Sequence, residues 1–290
     1  MANTKPAGKS GYRYLVEYDR RIIYLLIFIL VLAPLLQPFI LPIQVSPDTT
    51  TYYNVLNGLK KDDKVLVVFD TEFSGYMEIQ SGIIASIRMM FQHEVKVAIA
   101  VAHVEATGIP QLVFDQLASV MQEHNYVYGV NYINLGYVFP NEAAVAASAQ
   151  DFHTVVRQDA YGKSITGTFL DDVKDWSSWT LLSDYTTGIQ STALINHYGL
   201  KGTPMIANVI GVMISTSAPY VSSGIYKALL GSMRGGAELE YLTGYPGPGL
   251  TAMNSFTLGH YMLMIAIVLG NVGYFGYRSY QNKLKAQEVK

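Results

Sequence analysis

No cysteine occurs in the 290 residues, which excludes disulfides, thiolate metal sites and a cysteine nucleophile together. No Asn-x-Ser/Thr sequon is present either, so nothing marks the chain for N-glycosylation, and both absences suit a bacterial or archaeal surface protein. Charge is scarce: only 14% of residues are charged, against 50% hydrophobic, with a mean hydropathy of +0.21. That balance is too apolar for an ordinary soluble domain and too polar for a polytopic transporter. A chain that is part membrane and part soluble is expected.

Long uncharged runs lie near both ends. Ile22 to Ile43 holds no charged residue, and at about 1.5 Å per residue it reaches roughly 33 Å as a helix, the thickness of a hydrocarbon core. The run is longer than the core of a signal peptide, and no small-x-small cleavage pattern follows it. Pro34, Pro38 and Pro42 each remove a backbone donor, so its outer half is expected to be kinked or irregular. Thr257 to Tyr277 is a second such run. It carries Gly270, Gly273 and Gly276 with Asn271, the small and polar residues that let transmembrane helices pack closely.

Lys and Arg are absent from residues 44–59 and 235–256, yet Lys5, Lys9, Arg13, Arg20 and Arg21 precede the first run, and Arg278, Lys283, Lys285 and Lys290 follow the second. The positive-inside rule then places both termini in the cytoplasm and the middle of the chain outside the cell membrane. The expected organisation is a cytoplasmic tail over 1–21, a span over 22–43, a connection over 44–63, an extracytoplasmic domain over 64–244, a Pro/Gly connection over 245–256, a second span over 257–277 and a basic tail over 278–290. Residues 45–257 hold 19 acidic and 11 basic side chains, which argues against nucleic-acid binding.

Within the middle segment, short β-rich runs alternate with helix-like segments, the pattern of an α/β domain built on a largely parallel sheet. Strands are expected over 64–70, 95–102, 126–135, 179–184 and 205–215. Helices are expected over 76–93, 109–125, 141–158, 189–197 and 224–242. Pro110 suits the first turn of the second helix and Asn141 the cap of the third, and Arg234 and Glu238 stand four apart on the last. The run from Pro204 to Val221 is nearly long enough to span a membrane. A third span would carry the basic tail outside, so it is read as a buried strand and a hydroxyl-rich loop. The expected fold is a Rossmann-like or flavodoxin-like doubly wound sheet of about five strands, flanked by two transmembrane helices.

Ligands of such sheets bind beyond the carboxyl ends of the strands. The candidate residues there are Asp70, Glu72 and Ser74 after the first strand, and His103 and Glu105 after the second. Asp184 follows the fourth, and Ser215 and Ser217 follow the fifth. Together they offer carboxylates, an imidazole and hydroxyls for acid/base work or ligand binding.

No complete motif joins them. Gly162-Lys163-Ser164 resembles the end of a P-loop, but Arg157 stands where the loop's first glycine belongs. The first strand is followed by Glu72 and Phe73 rather than a G-x-G-x-x-G turn. G-x-S-x-G and H-E-x-x-H do not occur. Asp171, Asp172 and Asp175 lack the alternation and glycine of a calcium loop, so no metal site and no cofactor is specified. The leading expectation is an interaction or accessory subunit of a membrane complex, held in the bilayer and paired with copies of itself or other membrane proteins. Two alternatives use the strand-end residues instead: an extracytoplasmic hydrolase, or a solute-binding or sensing module.

Overall fold

In the computed structural model, residues 11–16, 19–37, 39, 41–188 and 191–288 are described. The chain forms two compact units, one over 42–250 and one made of 1–41 with 251–290.

The larger unit is an α/β domain. Its elements in order are α3 (Pro47–Asn57), β1 (Lys64–Asp70), α4 (Phe73–Gln92), β2 (Lys96–Val101), α5 (Ile109–Glu123) and β3 (Tyr132–Tyr137). There follow α6 (Glu142–Gln150), α7 (Phe152–Val155), β4 (Leu181–Thr186), α8 (Ser191–Leu194) with a π turn over Ile195–Gly199, and β5 (Met205–Val209). The unit closes with α9 (Ile214–Ser222), β6 (Tyr226–Gly231) and α10 (Ser232–Thr243).

All six strands are parallel, in the order β3-β2-β1-β4-β5-β6. This is the Rossmann-like strand order, and it reverses direction between β1 and β4. The central strand β1 is buried from Val65 to Asp70, which explains its unbroken apolar run. Val65, Val67 and Phe69 point into one core with Ile79, Ile83 and Ile87 of α4, Val113 and Leu117 of α5, and Leu239 of α10. Leu66 and Val68 point into the other, with Val145, Phe152, Leu194 and Tyr198. On the first face α4 and α10 touch through their smallest residues: a Cβ at Gly236 would collide with Ser81 Oγ and stand 2.6 Å from Gly82 N.

Several caps are where the sequence puts them. Asn141 accepts from Ala144 N at 3.0 Å, Pro110 sits in the first turn of α5, and Arg234 Nε meets Glu238 Oε1 at 2.8 Å.

The α/β domain differs from expectation in four main places. The stretch 44–63, read as a connection, contains α3, whose Tyr52 and Leu56 are fully buried. Ser46 caps that helix and Pro47 opens it, so the pair marks a helix start. The third strand begins at Tyr132 rather than Tyr126, because Asn131 Oδ1 accepts from Val127 N and Gly129 takes φ 80° to make a turn. The fifth strand stops at Val209 and the chain turns into α9, so Pro204 to Val221 is strand plus helix. A sixth strand, β6, occupies the first part of the helix expected over 224–242. Gly224 at φ 78° admits the chain to it, and Ser232 at φ 58° turns it out into α10. Smaller shifts place β4 at Leu181–Thr186, and they split the expected 141–158 helix at Asp151. Residues 189 and 190 of the expected fourth helix lie outside the described residues.

The smaller unit holds α1 (Gly11–Val16), α2 (Arg20–Leu36) and the greater part of α11 (Pro248–Glu288). Among the described residues one helix, within α11, is long and apolar enough to cross a membrane, and 6% of its apolar window is buried. The 17 residues of α2 reach only about 26 Å, and the helix ends at Leu36, two residues after Pro34. A first span as long as 22–43 is therefore not a single helix, and Pro38 lies outside the described residues. The Pro/Gly connection over 245–256 is shorter than expected, since helix begins at Pro248.

Candidate functional site

The strand order makes the carboxyl ends of β1 and β4 the place to look for a ligand crevice. Asp70 ends β1, in register with Thr186 of β4, and both are buried. Thr186 Oγ1 donates to Asp70 Oδ2 at 2.9 Å, and Thr187 N donates to Asp70 O at 3.0 Å. The same Thr186 hydroxyl accepts from Gly188 N at 3.1 Å and so folds the β4 loop back on itself.

The β1–α4 turn is tied to this loop. Glu72 N donates to Thr187 Oγ1 at 2.8 Å. A Cβ at Gly75 would stand 2.5 Å from Thr187 Cγ2 and 2.8 Å from Thr187 Cβ, so glycine is what lets the first turn of α4 seat against Thr187. Phe73 N, the first amide of α4, faces Glu105 Oε2 at 3.4 Å. A helix N-terminus of this kind attracts an anion, and here the protein's own carboxylate stands at it.

The residues singled out by sequence fall into separate places. Asp70, Glu72 and Glu105 meet at the switch point. Ser74 is exposed on the first turn of α4. His103 precedes a 3-10 turn over Val104–Gly108, with its Nδ1 buried and without a hydrogen bond among the described residues.

Asp184 is inside β4 rather than after it, and it is fully buried. It accepts from Tyr226 OH of β6 at 2.9 Å, past Ala207, its register partner in β5. Burial pushes its carboxyl up to about 6, against smaller opposing effects of the Ser191 and Tyr226 hydroxyls. Ser215 and Ser217 are in α9 rather than in a loop: Ser215 is exposed and Ser217 buried. Among the described residues, no group of three or more His, Asp or Glu is placed to hold a metal ion.

The residues that complete the switch point, Thr186 and Thr187, are not among those singled out by sequence. Their part in holding Asp70 depends on β1 and β4 being neighbours, which no local spacing encodes.

The small-residue strip of α11 is partly covered within its own unit. A Cβ at Gly273 would stand 2.7 Å from Leu15 Cβ, and one at Gly276 would collide with the Tyr12 ring, so α1 packs on these two glycines. A Cβ at Gly270 would meet nothing within 4 Å among the described residues outside its own helix turns, and Asn271 Nδ2 donates to Ile267 O at 3.0 Å.

No family model matches the chain, and no curated protein or solved structure matches it significantly.

Proposed function

We propose that this protein is a membrane-anchored α/β domain, facing outward from the cell membrane, that serves as an interaction or accessory subunit of a membrane complex. The observation that carries this reading is the closed switch point. Where a Rossmann-like sheet would admit a ligand, Thr186 and Thr187 bond to Asp70 and Glu72 of this chain, and Glu105 faces the helix amide that a phosphate would need. A nucleotide phosphate brought there would meet two carboxylates and a threonine side chain.

Anchoring is supported by the apolar surface of α11, where Leu263, Ile265, Ile267, Val268 and Phe275 are exposed and would be costly in water. Two passes with both termini in the cytoplasm are supported by the basic residues that flank the two apolar runs. Hydrolysis is the weaker reading, because it draws on Ser215 in α9 and on Asp184, which is sealed inside the sheet.

Isolation of the tagged full chain from its own membranes in mild detergent tests the proposal. Partners retained in fixed ratio through two different separations are expected, and recovery of the chain alone would overturn it. Protease protection of intact cells tests the orientation: residues 42–250 should be cut from outside while both termini are protected.

A further inference from the structure

At the carboxyl end of the sheet the switch point between β1 and β4 is filled by the chain's own groups, and apolar side chains stand exposed around it. Four large apolar side chains stand exposed along it: Phe73 at 53%, Met77 at 58%, Val104 at 59% and Val212 at 80%. Phe73 and Met77 are four apart on α4 and so share one face of that helix.

Two hydrogen bonds hold the neighbouring loops against this face. Glu105, next to Val104, reaches Phe73 N at 3.4 Å. Glu78, next to Met77, accepts from Gly211 N at 2.7 Å, which fixes the turn that carries Val212. The loops after β2, β1 and β5 that carry these side chains are thereby tied to one another.

Singly exposed apolar residues are ordinary, but four on segments tied to one another are the kind of surface that marks a contact. The charges around it select the partner. The described loops that follow the six strands, over 71–72, 102–108, 138–141, 187–188, 210–213 and at 231, contain Glu72 and Glu105 and no Lys or Arg, and Arg234 in the first turn of α10, beyond β6, is paired with Glu238. An anionic bilayer would be repelled, and a second copy of the chain would bring like charges together.

We infer that the ridge of Val104, Phe73, Met77 and Val212 is a docking surface for a polypeptide segment of another protein, one that sets Lys or Arg beside apolar side chains. The inference rests on the proposed role as a complex subunit and assigns that role a surface. The apolar side chains of the partner cover the ridge, and its basic groups meet Glu72 and Glu105.

The test places a photo-crosslinking benzophenone side chain at position 212 of the full chain in its own membranes. A second probe goes at position 200, where Leu200 is also exposed but lies at the opposite end of the sheet. A discrete polypeptide adduct is expected from 212 and not from 200, with the attached partner peptide carrying Lys or Arg beside apolar residues. Glu72→Lys should reduce that adduct at least about fivefold, and Glu72→Gln less, with at most a small fall in unfolding temperature, because the Glu72 side chain makes no cap hydrogen bond and only the charge beside the N-terminus of α4 changes.

Adducts to lipid, adducts to a second copy, equal yields at 200, or a yield indifferent to Glu72→Lys would each overturn the inference. So would no adduct from a particle that still contains other subunits, and that result would leave the proposed function standing. A particle of one copy of this chain and no other protein would overturn both.

Discussion

Thr186 and Asp70 are hydrogen-bonded at 2.9 Å across the seam where the strand order reverses, and both side chains are buried. The bond makes Asp70 part of the join between the two halves of the sheet. Replacing Thr186 by Val or Asp70 by Ala should therefore lower stability by about 1–3 kcal/mol, the range for leaving a buried polar group without its partner. Thermal or denaturant unfolding of the full chain in detergent reads this directly. A catalytic Asp70 would instead show little or no loss on replacement.

Gly75 gives an independent check of the same closure. Gly75→Ala puts a methyl group into Thr187, at an expected cost of about 1–3 kcal/mol for overpacking. Thr187→Ala should recover part of that loss, so the double variant should be more stable than the sum of the two changes implies. Simple additivity in unfolding experiments would mean that the two residues are not in contact.

The alternation of β1, α4, β2 and α5 was legible because each has a strong apolar period and a clear stop, so the parallel α/β class followed. Helix α3 lies within the stretch 44–63 expected to be a connection, although Ser46 at the cap and Pro47 at the first position are a helix-start signal. β6 was missed because Tyr226 to Gly231 joins directly to α10, and the turn between them uses Ser232 at φ 58° rather than a glycine. Asp184 was expected at the end of the fourth strand and Ser215 at the end of the fifth; β4 runs on to Thr186 and so buries Asp184, whereas β5 stops at Val209 and leaves Ser215 exposed in α9. The pairing of Asp70 with Thr186 is tertiary and has no local signature.

Two buried carboxylates should act on stability with opposite sign. Asp184 is raised to about 6 by burial. Its folded form thus favours the proton, so its contribution is fully present below the unfolded value near 4 and is lost as pH rises through 6. Asp184→Asn should stabilise the protein at pH 7.5 by on the order of 2–3 kcal/mol, and the gain should shrink toward pH 4.5. Melting temperatures of the two proteins at the two pH values check it.

Glu238 is the opposite case. Burial alone would raise it, but donors outweigh burial and hold it below its ordinary value. They are Ser46 N at 2.9 Å, Ser46 Oγ at 2.6 Å and Thr49 Oγ1 at 2.8 Å, with Arg234 Nε at 2.8 Å. Its contribution is present above the unfolded value and is lost as pH falls through the folded one. Glu238→Gln should cost about 1–3 kcal/mol at neutral pH and less in acid, and it should loosen α3 first. Hydrogen exchange of the α3 amides at pH 7 shows whether that helix responds.

Membrane anchoring has its own test. Ile265 and Val268 are exposed on α11, and an arginine at either would cost roughly 2.5–3.5 kcal/mol at the centre of a bilayer. The unaltered chain should stay in the membrane pellet after alkaline carbonate extraction. The Ile265→Arg/Val268→Arg variant should move substantially to the supernatant or fail to accumulate.

The most direct test of the central claim is the native mass of the particle extracted gently from its own membrane. The chain weighs 32.0 kDa, and the account predicts a protein mass well above that, with other subunits in fixed proportion. A monodisperse particle containing one copy of this chain and no other protein would contradict it.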